Sequence, residues 1–197
     1  MEQSLFSKER LSDVINLSLL EEYLNRLYND IQVPFTLFDI DGEIITYSPC
    51  IDLCKEIICK DPRMHILCKE TCASFNDNVE ELFFCPNGLM KYRIPLCIDN
   101  EIVAYIVMRQ FLTEQDEVDS IKNMLIKRGF DYDSIRFLSS GIPILHEKKL
   151  EKIITFINEF MIITANMSNQ DMKVSEKEEK VKKNYRMLMS SFEEIDK

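Results

Sequence analysis

The stretch ELFFCPNGLMKYRIPLCIDNEIVAYIVMRQF, residues 81–111, decides how the rest of the chain is read. Three runs, ELFFC, LMKYRIPLCI and EIVAYIVMRQF, are rich in aromatic and β-branched residues and are separated by Pro86-Asn87-Gly88 and by Asp99-Asn100. Runs of this kind bounded by turn residues read as strands, and tight connections make them antiparallel neighbours in meander order.

Working outward, residues 33–47 repeat the pattern: Pro34 opens FTLFDI, Asp41 and Gly42 supply turn chemistry, and EIITY follows. This predicts two more strands joined by a tight hairpin turn. Before them, Leu20, Tyr23, Leu24, Leu27, Tyr28 and Ile31 recur at helical spacing within Ser12 to Ile31, the mark of an amphipathic helix. Between the second and third strands, Ile51 to Asn78 mixes charged and apolar residues and reads as short helices and a loop. After Thr113, EQDEVDSIKNMLIKRGF reads as a helix ended by Gly129, and DYDSIRFLSSGIPIL as a short helix and turn. A longer helix begins near His146, with Leu150, Ile154, Ile157, Met161 and Thr164 on one face. The expected fold class is α+β: a PAS-like antiparallel five-stranded sheet covered by helices, with a long C-terminal helical extension.

The extension carries a second seam, Val181, Tyr185, Leu188, Phe192 and Ile195, at steps of four and three, which reads either as a coiled-coil linker or as a simple surface helix. The expected division is a folded domain over 1–167 and a helical linker over 168–197. A seam used between copies implies a homodimer through the C-terminal helix, and an output domain or partner is expected to follow it.

A length of 197 residues with 46% hydrophobic residues allows one domain with a real core. The formal charge of −10 and a pI near 4.8 oppose a phosphate-binding surface, so direct nucleic-acid binding is not expected. No run of about 18 apolar residues and no apolar leader core occurs, so the expectation is a cytoplasmic protein without a membrane span. Catalysis has little support: the chain has only four glycines and shows no nucleotide-binding loop, HExxH or GxSxG. His65, three residues before Cys68, reads as a loop histidine more readily than as a metal ligand or a base, and His146 as a surface residue.

All seven cysteines fall between Cys50 and Cys97. Cysteine is often merely a small core residue, and an odd number in a reducing compartment does not suggest a disulfide framework. A thiolate metal site is the competing reading, although structural zinc sites usually contain CxxC and this chain has none. Cys50 to Cys54 and Cys68 to Cys72 are instead one helical turn apart, which places each pair on one face of a helix.

The order IDLCKEI, HILCKET, FFCPNGLMKYRIPL and IDNEIVAYIVMRQFLTE resembles the PocR ligand-binding domain, with Cys54, Cys68 and Cys85 at that family's three cysteine places. The N-terminal helix, DIDGEII and IPILHEKKLEKIITFI also fall where the family has counterparts, so the resemblance spans roughly Leu11 to Met167. It implies a PAS-variant sensor from a transcription regulator or signalling kinase, binding a small effector such as an alcohol, a diol or a similar hydrocarbon derivative. The implied output is a histidine kinase or a DNA-binding domain. Three family positions and the neighbouring Cys72 give the expected metal set Cys54, Cys68, Cys72 and Cys85, holding Zn(II) or, alternatively, an iron–sulfur cluster that would make the module a redox or oxygen sensor. The expected effector pocket lies between the sheet and its helical cover, with Phe38, Tyr47, Tyr92 and Gln110 as candidate contacts; Gln110 aligns with a family glutamine. Two departures stand out: Pro86 where the family commonly has His, and Arg109 where it has Gly. Arg109 reads as an exposed arginine or as the partner of an anionic ligand. A further reading makes the C-terminal seam an adaptor surface for a kinase or regulator.

Overall fold

The computed structural model describes residues 11, 15–62, 64–66, 68, 81–98, 101–165 and 174–195. Helix α1 (Leu17–Ile31) leads into strands β1 (Phe35–Asp39) and β2 (Ile44–Tyr47), then a π-helical turn (Cys54–Ile58). Strands β3 (Glu81–Phe84), β4 (Met90–Ile98) and β5 (Glu101–Phe111) follow. Helices α2 (Asp116–Lys127), α3 (Tyr132–Ser139), α4 (Glu147–Ala165) and α5 (Val174–Ile195) complete the chain. The sheet is antiparallel in the order β2-β1-β5-β4-β3, the PAS-like arrangement.

Local chemistry explains the boundaries. Asn16 caps α1, its side-chain oxygen accepting from the Leu19 N–H at 3.0 Å, which satisfies one of the free amides of the first turn. In the β1–β2 hairpin the carboxylate of Asp39 accepts from the Asp41 and Glu43 N–H groups at 3.0 and 2.8 Å, while Gly42 takes φ +86°. That conformation is open to glycine at little cost. Before α2, the Glu117 carboxylate turns back to accept from the Thr113 and Glu114 amides, each at 3.1 Å, which fixes the approach to the helix.

Residues paired across antiparallel strands project to the same face. One face carries Phe35 and Leu37 of β1, Ile94 and Leu96 of β4, and Ala104, Ile106 and Met108 of β5. It joins α1, α4 and α5 in a single buried apolar cluster. The other carries Thr36 and Phe38 of β1, Lys91 and Arg93 of β4, and Tyr105, Val107 and Arg109 of β5, all buried.

Helix α4 is apolar over a wider arc than its four-and-three spacing predicts: Ile153, Phe156, Phe160 and Ile163 are buried beside Leu150, Ile157 and Met161. It packs against the sheet, against α5 and, through Phe156 and Phe160, against Tyr23 of α1. The α5 seam itself is turned inward: Val181, Leu188 and Phe192 belong to the same cluster as the sheet. Tyr185 meets the rings of Tyr23 and Phe156 at 5.4 and 5.6 Å between centroids, and its hydroxyl donates to Asp30. The residues expected to form a coiled coil, or a surface helix, therefore close the core of their own chain. No helix among the described residues is long and apolar enough to cross a membrane.

Candidate effector and thiol site

The candidate site is the sheet face that carries charge. Lys91 is the register partner of Arg109, Arg93 of Val107, and Phe38 of Tyr105. The ammonium of Lys91 lies 5.8 Å from the centre of the Phe83 ring, and the Arg93 guanidinium lies 5.6 Å from Phe83 and 5.9 Å from Tyr105. Aromatic faces attract cations at such distances, which helps hold two basic side chains on a buried surface.

Arg109 is 9% exposed, against the usual expectation of a solvated arginine. It reaches past β1 to the end of β2, donating from Nη2 to the Ser48 carbonyl at 3.0 Å and from Nη1 toward Cys50 Sγ at 3.8 Å. Its Nε is buried with no partner. Ser48 is itself fixed, its hydroxyl accepting from the Phe35 N–H at 2.6 Å.

Gln110 follows at φ +61°, an uncommon conformation for a residue with a side chain. The register explains it: Met90 pairs with Phe111 and Lys91 with Arg109, leaving Gln110 as the extra residue of a bulge. Its side-chain oxygen accepts from the Ile51 N–H at 2.9 Å. The bulge thus ties the end of β5 to the start of the cysteine-bearing turn.

Of the other expected contacts, Phe38 is buried on the charged face, whereas Tyr47, on edge strand β2, is 69% exposed. Tyr92 pairs with Met108 and packs against the opposite, apolar cluster. The four expected contacts therefore do not converge on one spot. A cavity of about 320 Å³ between the end of α1 and α3, lined by residues such as Gln32, Ile51, Asp52 and Leu138, takes in none of the four. The residues that sequence reasoning passed over are Lys91 and Arg93. Alternation along LMKYRIPL placed them on one face of β4, but nothing in the sequence said that this face would be buried.

Beside this face a second apolar cluster gathers Ile51, Leu53, Cys54, Ile57, Ile58, Cys85, Leu89 and residues of α2 and α3, with Cys50 and Cys68 packed against it. Burial pushes the Cys54 thiol well above its ordinary pKa, and Cys85, Cys50 and Cys59 push it further, while Arg109 pulls it down. Of the expected metal set, Cys54 and Cys85 come together and Cys68 borders the same cluster; Cys72 lies outside the described residues. Among the described residues no group of three or more His, Cys, Asp and Glu side chains is arranged to hold a metal ion. His65 is exposed, and His146 is exposed with Nδ1 2.9 Å from the Thr113 carbonyl.

No curated protein and no solved structure matches the chain. The family model described as the sensory domain found in PocR matches residues 13–169, and with the strand order and the cysteine-bearing turn in place, the chain belongs to that family of sensory domains.

Proposed function

We propose that the domain binds a small organic effector over the charged face of its sheet and reports occupancy through α4 and α5. The observation that carries this reading is the burial of Thr36, Lys91, Arg93 and Arg109 among Phe38, Tyr105 and Val107. Burying polar and charged groups costs free energy, and a binding surface gives a reason to keep them. Pockets for small molecules combine such groups with apolar walls.

A route to the helices runs along β5. Three residues beyond Arg109, Leu112 donates to the Pro143 carbonyl at 3.0 Å and accepts from the Leu145 N–H at 2.7 Å, just before α4 begins at Glu147. A ligand that favours one setting of the bulge biases this junction, and signalling needs only such a difference in affinity between two settings. The output would be a histidine kinase or DNA-binding domain, and the module would act as a homodimer. The test is amide hydrogen exchange with and without any compound that raises the melting temperature. Altered exchange in residues 174–195 at saturation is expected, and unchanged exchange there sinks the signalling part of the proposal.

A second reading is favoured by the crowding of Cys50, Cys59 and Cys85 around Cys54. In it a thiolate-bound Zn(II) or iron–sulfur centre, built on Cys54, Cys85, Cys68 and Cys72, is the sensor. Metal analysis and an anaerobic absorbance spectrum decide: a colourless, metal-free protein removes this reading.

A further inference from the structure

We propose that the effector is an organic anion, a small carboxylate on a short hydrocarbon body, and that Arg109 is its anchor. The inference rests on the effector reading above and names the ligand's chemical class. A guanidinium remains protonated in a protein and offers five N–H donors. Arg109 uses its Nη atoms on a main-chain carbonyl and a sulfur, and Nε has no partner at all. Among the described residues no carboxylate answers this charge, although the side chain is nearly enclosed. The next residue along the row of the sheet is Lys91, also cationic and 1% exposed, and Arg93 at 4% follows on the same strand. Lys91 and Arg93 have contacts of their own, but like charges set opposite each other across a sheet repel, so Lys91 does nothing to relieve the Arg109 charge, and burial leaves that charge weakly screened.

A diol or an amide satisfies donors but leaves that charge unanswered. A carboxylate does both, because its two oxygens match the planar fork of an arginine. Phe38, Tyr105 and Val107 on the same face suit a hydrocarbon body. A phosphate ester, with more charge to desolvate, suits it less well. The net charge of −10 does not oppose this, since the contact is local and buried whereas the acidic excess is spread over the whole chain.

The test uses the intact chain and thermal denaturation with matched series: butyrate, succinate and benzoate; their amides and the corresponding diols or alcohols; and butyl phosphate. The carboxylates are expected to raise the melting temperature in a concentration-dependent way that follows mass action, and their uncharged counterparts to leave it unchanged. Arg109→Gln should weaken the carboxylate effect by roughly tenfold or more in apparent Kd. Because the acid-against-amide comparison is made on the unaltered protein, it stands even if that variant folds poorly. Stabilisation by neutral compounds or by the phosphate, but not by carboxylates, overturns the assignment and leaves effector binding intact. No shift with any series overturns both.

Discussion

The two faces of this one sheet are built from adjacent residues of the same strands, yet one is mainly apolar and the other buries three cations. Between Ile106 and Val107, or Met108 and Arg109, the chain advances a single step and crosses from one environment to the other. On the apolar face, Phe35, Leu37, Ile94 and Ile106 meet α1, α4 and α5, and burial of their side chains is favourable everywhere. On the charged face, Lys91, Arg93 and Arg109 are buried as well. The first face packs the helices onto the sheet; the second encloses charge.

The largest expected effect comes from damaging the apolar face. Ile106→Ala removes a fully buried side chain at the centre of the sheet and should destabilise the domain by about 2–5 kcal/mol, read as a lower urea midpoint with an unchanged slope. Leu188→Ala tests whether α5 belongs to that face: a loss of about 2–4 kcal/mol in docking should speed amide exchange across residues 174–195 while β4 and β5 stay protected. Equal protection of α5 in the variant would separate the helix from the core.

The charged face should respond differently. Arg109→Met replaces a buried charge, held only by neutral partners, with an apolar chain of similar reach, and in the ligand-free protein stability should change by no more than about 1 kcal/mol. A loss as large as that of Ile106→Ala would make Arg109 a structural residue and erase the contrast between the faces.

The smallest effect is one of pH. Burial and three neighbouring thiols raise the Cys54 pKa well above 9.0, so the folded state keeps this proton when the unfolded chain releases it. The stability contributed is complete below the unfolded thiol pKa and is lost as pH rises through it toward the folded value. The melting temperature should therefore decline above about pH 9, and Cys54→Ala should flatten that decline.

Much of the fold was legible because period and punctuation are local properties. LMKYRIPLCI and EIVAYIVMRQF announce strands, the Asp41-Gly42 and Asn87-Gly88 turns mark their ends, and Gly129 closes α2. The site was less legible. Gln110 was singled out, but its bulge depends on a register between β4 and β5 that neither strand states alone. Tyr92 and Phe38 looked equivalent as strand aromatics, and only the pairing places them on opposite faces.

The sequence by itself determined the elements, their order, the sensory family and the confinement of cysteine to the middle of the chain. Tertiary structure alone decided that the last helix folds back onto α4, that Cys54 sits among other thiols, and that Arg109 is enclosed rather than solvated. The reason is physical: hydrophobic period and turn chemistry are written within a few residues of one another, whereas burial depends on what else covers a face, and that comes from parts of the chain far away in sequence.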